Sequence, residues 1–310
     1  MTAGTRPEFT EAAMQQLHDL VADHDWPQVA ARTAAFLGDP ACISGASVAF
    51  LSWLTEYAEQ SVLDPAVTAP AADRLRGAAK RRQIFRERHR ARLSRRSYVS
   101  LGCECQPWVI LNRWGFRDTM RDMNPFSLGV HRMPGLLGIL ESRFDGYAGP
   151  GAIGTRPHAA SRQPMLVDPV RGITWNHHRG PAWTDDDFAR FRAHQAALVP
   201  AFYEASRRPG AIHVMSRWAK FHPEGSRAEI DRLLAAISEA GAAEPRLVIL
   251  DFGDSPLAPG ITRLAEGVHA ISRPYPTADY VWSNIHAYRT PEGMDWELGL
   301  MRDLIAVAEG

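Results

Sequence analysis

Tyr98-Val99-Ser100-Leu101-Gly102-Cys103-Glu104-Cys105-Gln106 is the stretch on which the reading of this chain turns. The apolar run Tyr98–Leu101 predicts a buried strand, and Gly102 allows a sharp turn. Pro107 to Trp114 then carries apolar residues at helical spacing, with proline near the start where its missing N–H costs nothing. Cys103 and Cys105 therefore fall where a strand hands over to a helix N-terminus. Free backbone N–H groups and the positive end of the helix dipole favour a thiolate there, and the thiolate is the nucleophilic form of cysteine.

Working outward, the texture on the two sides of this stretch differs. Upstream, residues 8–94 predict helices, with Met14, Leu17, Leu20 and Val21 on one apolar face and Phe50, Leu51, Trp53 and Leu54 in a later segment. Downstream, strands are expected at Met165–Asp168, Ile173–His177, Ile212–Met215, Leu247–Asp251, Val268–Ile271 and Tyr280–Trp282. Helices are expected at Pro134–Arg143, Asp185–Arg207, Arg227–Ala240 and Met294–Ala308. Gly146–Pro164, rich in Gly, Pro, Ala and Ser, predicts a long loop. This pattern predicts an α+β fold over 95–310, preceded by an all-α region over 1–94. No repeat of 20 to 50 residues is visible, which argues against a solenoid.

Charge and cysteine usage narrow the function classes. The 310 residues carry no net charge, yet residues 74–96 hold eleven Lys/Arg against the single acidic Glu87. That segment predicts a solvated helix face or a docking surface for an acidic partner. With only Phe85 as an aromatic, it does not suit base stacking, which argues against nucleic acid. No apolar run approaches the length that spans a bilayer, and Met1–Phe9 lacks a signal-peptide core, so neither membrane insertion nor export is expected. Three cysteines (Cys42, Cys103, Cys105) are too few for a disulfide scaffold and fit a reducing, cytoplasmic setting.

Three chemistries compete for the chain's polar residues. In the first, Cys105 is a nucleophile, with His177 or His178 as base on the strand that follows Gly172. Asp251 or Asp254 orients that base, and the Cys105 N–H and Gln106 side chain receive the oxyanion. In the second, Cys103, Cys105, His177 and His178 form a tetrahedral zinc set, although a one-residue spacer and adjacent histidines suit a single ion poorly. His131 and His158 would be spare ligands. In the third, Gly253-Asp254-Ser255 is a serine-hydrolase block, which lacks a downstream Asp-x-x-His partner. The motifs that cradle phosphates and dinucleotides are absent, and no cofactor is expected.

Ser100-Leu101-Gly102-Cys103-Glu104-Cys105-Gln106 resembles the Ser-Leu-Gly-x-x-Cys-Gln block of a bacterial papain-like cysteine peptidase family, the domain of unknown function numbered 1796. Leu111-Asn112-Arg113-Trp114-Gly115-Phe116-Arg117 is similar to the family's next stretch. Pro125-Phe126-Ser127-Leu128 stands where the family has Pro-Phe-Asp-Trp, and Trp175-Asn176-His177-His178 where it has a strand ending in His-Asp. The likeness covers roughly 97–305. It implies a papain-like domain with a Cys105–His177 pair, acting on a peptide, protein or smaller amide or acyl substrate by hydrolysis or acyl transfer. The departures at Ser127-Leu128 and His178 equally suit a non-catalytic binding protein on a degenerate peptidase-like fold.

Overall fold

Val99, Leu101, Val214, Leu247, Ile249, Val268 and Ile271 are all fully or almost fully buried. Continuous apolar runs of this kind belong to strands covered on both faces, as parallel sheets are. In the computed structural model they form a five-stranded sheet in the order β1-β6-β7-β9-β8. Its strands are β1 (Tyr98–Leu101), β6 (Ile212–Ser216), β7 (Leu247–Asp251), β8 (Gly260–Ala265) and β9 (Val268–Ser272). The first four in spatial order are parallel, and β8 closes the edge as an antiparallel hairpin with β9. The structure describes residues 80–93, 95–117, 122–158, 163–216, 226–253, 255–278 and 290–310, with the single positions 16, 20, 28, 31, 32, 280, 282 and 288.

A second, four-stranded antiparallel sheet has the order β2-β5-β4-β3. It comprises β2 (Val130–His131), β3 (Gly154–Pro157), β4 (Pro164–Asp168) and β5 (Ile173–Arg179). The chain enters it after β1 and leaves before β6, so it is an insertion between neighbouring strands of the first sheet. Pairing between β4 and β5 slips: Leu166 faces Trp175, but Met165 faces Arg179. Asn176, His177 and His178 thus form a bulge, a device that re-aims side chains.

The helices are α1 (residues 80–93), α2 (Gln106–Arg113), α3 (Met133–Glu141), α4 (Pro181–Thr184), α5 (Ala189–Arg207), α6 (Arg227–Glu239) and α7 (Pro291–Glu309), with a 3-10 turn at Asp186–Phe188. α2 packs on β1 and β6, α5 on β1, and α6 on α3. The result is a mixed α+β architecture, as the alternation of patterns predicts. No helix among the described residues is long and apolar enough to cross a membrane.

The chain divides into two compact units, residues 1–85 with 276–298 and residues 86–275 with 299–310. The first contains the ion pairs Arg81–Asp295 at 2.9 Å and Arg82–Glu297 at 3.8 Å, and Tyr280 packed 5.3 Å from Trp296. The second contains both sheets. The helices expected before residue 80 lie outside the described residues apart from positions 16, 20, 28, 31 and 32, which are helical, and Cys42 lies outside them too.

Three expectations are corrected. Gly146–Pro164 is not loop throughout, because Gly154–Pro157 pairs with β4; Gly, Thr, Arg and Pro carry little strand propensity, and pairing alone makes the strand. Asp185–Arg207 is not one helix, because Asp186, Asp187 and Phe188 have φ of 53°, 50° and 61° and break it. Tyr280 and Trp282 are not in a strand.

Candidate functional site around Cys105

Gly102 ends β1, and close approach is what demands glycine there. A Cβ would lie 2.7 Å from the Phe126 carbonyl and 2.8 Å from His131 Nδ1. The Gly102 carbonyl accepts from the His131 backbone N–H at 2.6 Å and lies 3.1 Å from its ring Nδ1. His131 is fully buried, and burial lowers its pKa to about 4, so the ring is neutral. Behind it, His131 Nε2, Trp175 Nε1, Gln195 Oε1 and the Pro125 carbonyl gather around the Tyr147 hydroxyl within 3.2–3.4 Å. The turn is thereby tied to the second sheet through a neutral network.

The motif residues of the resemblance converge beneath the same turn. Buried Arg117 donates to Ser100 Oγ at 2.9 Å. Asn124 Nδ2 donates to the Ser100 carbonyl at 3.2 Å, and Asn124 Oδ1 accepts from the Phe126 N–H at 2.9 Å. Ser127 Oγ accepts from the Asn124 N–H at 2.9 Å. Ser127, standing where the resemblance has an aspartate, thus works as a turn-forming hydroxyl.

Cys105 is the N-cap of α2 and only 5 % exposed. Burial, then the Glu104 carboxylate, pushes its thiol pKa up to about 11; its own backbone N–H and a hydrogen bond from the Asn176 side chain act in the opposite sense. The expected thiolate is therefore not the resting form. A helix terminus offers about 0.3–1 kcal/mol to an anion, less than the cost of burying one without a counter-charge. Cys103 is a core residue whose pKa is pushed up to about 12 by burial, which makes it a packing neighbour.

Gln106 occupies the first position of α2 on its sheet-facing side, with Ile110 one turn on. It is 0 % exposed, and neither Nε2 nor Oε1 has a partner. Asn176 Oδ1 and Trp108 Nε1 are also buried without partners. Each such group costs roughly 1–3 kcal/mol relative to a satisfied one, so α2 and the neighbouring β5 carry polar groups that the fold leaves unsatisfied.

The bulge in β5 separates the two histidines. His178 is 4 % exposed, and its ring packs 4.7 Å from Trp183, 5.1 Å from Phe191 and 5.3 Å from His194. Burial, with smaller contributions from His194 and His177, lowers its pKa to about 4. His177 is exposed, and burial of the rest of its ring followed by the Arg179 charge lowers its pKa. Neither histidine shifts the Cys105 thiol; the side chains that do are Glu104, upward, and Asn176, downward. Asn176 is the site residue that sequence reasoning missed. Its signal was an amide in mid-strand, a place where asparagine is uncommon.

Asp251 ends β7, with β6 between it and β1. It is buried and accepts from the Ser255 hydroxyl and, at 3.4 Å, from the Gly253 N–H. These contacts tie the Asp251 carboxylate to the loop that follows its strand, and Ser255 serves that loop. Asp254 lies outside the described residues. Cys103, Cys105, His177 and His178 are not gathered into a metal-ligand set, and no group of three or more His, Cys, Asp or Glu among the described residues could hold a metal. His158 lies 3.3 Å from Arg179 Nη1. No family model, curated protein or solved structure matches the chain, so its likeness to the peptidase family rests on the quoted residues.

Proposed function

We propose that the chain is a thiol-dependent enzyme acting on an amide or acyl bond, with Cys105 as nucleophile and His177 as base. One observation carries this reading: the Asn176 side chain of β5 stands close enough to the Cys105 thiol to lower its pKa. That contact brings the histidine-bearing bulge of β5 to the N-terminus of α2, the strand-to-helix meeting that a papain-like arrangement requires. His177 is the better base because its ring reaches solvent, whereas His178 is enclosed by aromatics. The protonated resting thiol fits a nucleophile that loses its proton to a base as substrate binds. The Cys105 N–H and Gln106 Nε2 supply donors for a developing oxyanion. A thioester would form and be resolved by water or by an amine.

The test is alkylation of Cys105 by iodoacetamide across pH in the wild type and in His177→Ala, His178→Ala and Cys105→Ala, with acyl-enzyme formation from an activated ester followed by mass spectrometry. Loss of the acyl adduct in Cys105→Ala and its slowing in His177→Ala support the reading. An adduct rate indifferent to His177 would sink it.

A second reading is supported by the buried neutral thiol: a binding protein on a degenerate peptidase-like scaffold. It expects no acyl adduct from the wild type and unchanged folding in Cys105→Ala.

A further inference from the structure

We infer that the site selects a primary carboxamide, –C(=O)NH2, over a secondary peptide amide or an ester; this rests on the reading of Cys105 as nucleophile. The observation is Gln106. It stands next to the nucleophile, is fully buried, and leaves both a donor, Nε2, and an acceptor, Oε1, without partners. Cα–Cβ bonds tilt towards a helix's N-terminus, so a side chain at the first position of α2 leans towards the Cys105 end. Asn176, whose side chain acts on the thiol from β5, adds a third unpartnered atom, Oδ1, a further acceptor.

A group that satisfies Gln106 must offer an acceptor and a donor side by side in one plane. A primary carboxamide does, because one of its N–H bonds lies on the same side as its C=O. A secondary amide does not, since in the trans form the N–H points away from the C=O. An ester has no N–H. Pairing edge to edge, Gln106 Nε2 donates to the substrate oxygen and Oε1 accepts from the substrate nitrogen. The face of the carbonyl stays open to the sulfur, and the donor on oxygen strengthens as negative charge develops there.

The chemistry balances without a co-reactant other than water. The Cys105 sulfur bonds to the carbonyl carbon, the thiol proton passes through His177 to the leaving nitrogen, and the C–N bond breaks to release ammonia. Water then cleaves the thioester to a carboxylic acid and restores the thiol. Asn176 Oδ1 is available to the second N–H of the departing amide.

The experiment compares alkylation of Cys105 by 2-iodoacetamide and by N-methyl-2-iodoacetamide, which share an electrophile and differ in the amide. Each rate is divided by that of a free small-molecule thiol with the same reagent. The expected corrected ratio favours the primary amide by about ten- to a hundredfold, the worth of one or two buried hydrogen bonds. In Gln106→Met the ratio falls to that of the free thiol, while the pH profile of alkylation stays in place. The wild-type ratio needs no variant, so a Gln106→Met chain that fails to fold leaves the test intact. A wild-type ratio of one, with alkylation still dependent on His177, overturns the carboxamide inference and leaves the nucleophile standing. A wild type in which Cys105 stays unmodified by either reagent at pH 9 overturns both.

Discussion

The Asn176 side chain stands beside the thiol of Cys105 and lowers its pKa, which brings a bulge of the antiparallel sheet to the first turn of the helix that follows β1. A carboxamide can stabilise a thiolate with its N–H but cannot take the proton. The contact therefore positions the sulfur without ionising it.

Thiol reactivity should follow from this. With the Cys105 pKa raised to about 11 by burial, alkylation should accelerate about tenfold per pH unit from neutrality and reach no plateau below pH 10. Asn176→Leu removes a polar side chain that lowers the pKa, so its profile should shift to higher pH. A plateau near pH 8.5 in the wild type, measured by mass spectrometry of the Cys105 peptide, would contradict the buried setting.

Stability should fall at both ends of the pH scale. His131, His178 and His213 have folded pKa values lowered to about 4 by burial. The unfolded chain binds protons near 6.5 that the folded chain refuses, so stability present above pH 6.5 is lost as pH falls towards 4. Cys103 and Cys105 are raised to about 12 and 11; the unfolded chain releases their protons first, so stability declines as pH rises above about 9. His178→Phe keeps the ring among Trp183, Phe191 and His194 and removes one titrating group. Thermal melts should show it within about 1 kcal/mol of wild type at pH 8 and less acid-sensitive at pH 5.

Two glycine substitutions should have opposite signs. Gly102→Ala drives a methyl group to 2.7 Å from a backbone oxygen and 2.8 Å from the His131 ring, and should cost about 1–3 kcal/mol in urea unfolding. Gly138→Ala, in the exposed middle of α3 with nothing within 4 Å, should stabilise by up to about 1 kcal/mol.

Ser100→Ala should weaken the fold through Arg117. It removes the 2.9 Å acceptor of a buried guanidinium and leaves that donor unsatisfied, at a cost of about 1–3 kcal/mol. In Arg117→Met, where the charge is gone, the same serine change should cost less than half as much in a double-mutant cycle.

The sequence by itself determined the elements whose signal is local. β1 and β7 fall on the expected residues, and α2 begins one residue earlier than read, at Gln106. Apolar runs bounded by Gly, Pro or Asp are set by burial and turn chemistry within a few residues. β3 and β8 carried no such signal: Gly154-Thr155-Arg156-Pro157 and the partly exposed Gly260–Ala265 are strands because a neighbour pairs with them. The same division holds at the site. Cys105 at a helix N-terminus is readable from the turn beside it. Its protonation state is not, because burial depends on how distant parts of the chain pack over the start of the helix. Only the tertiary structure decided that Asn176 meets the thiol, that His131 anchors Gly102, and that His178 is sealed among aromatics while His177 faces out. The placing of Asn176, His177 and His178 follows from the three-residue slip between Met165 and Leu166, a change of register that no local periodicity encodes.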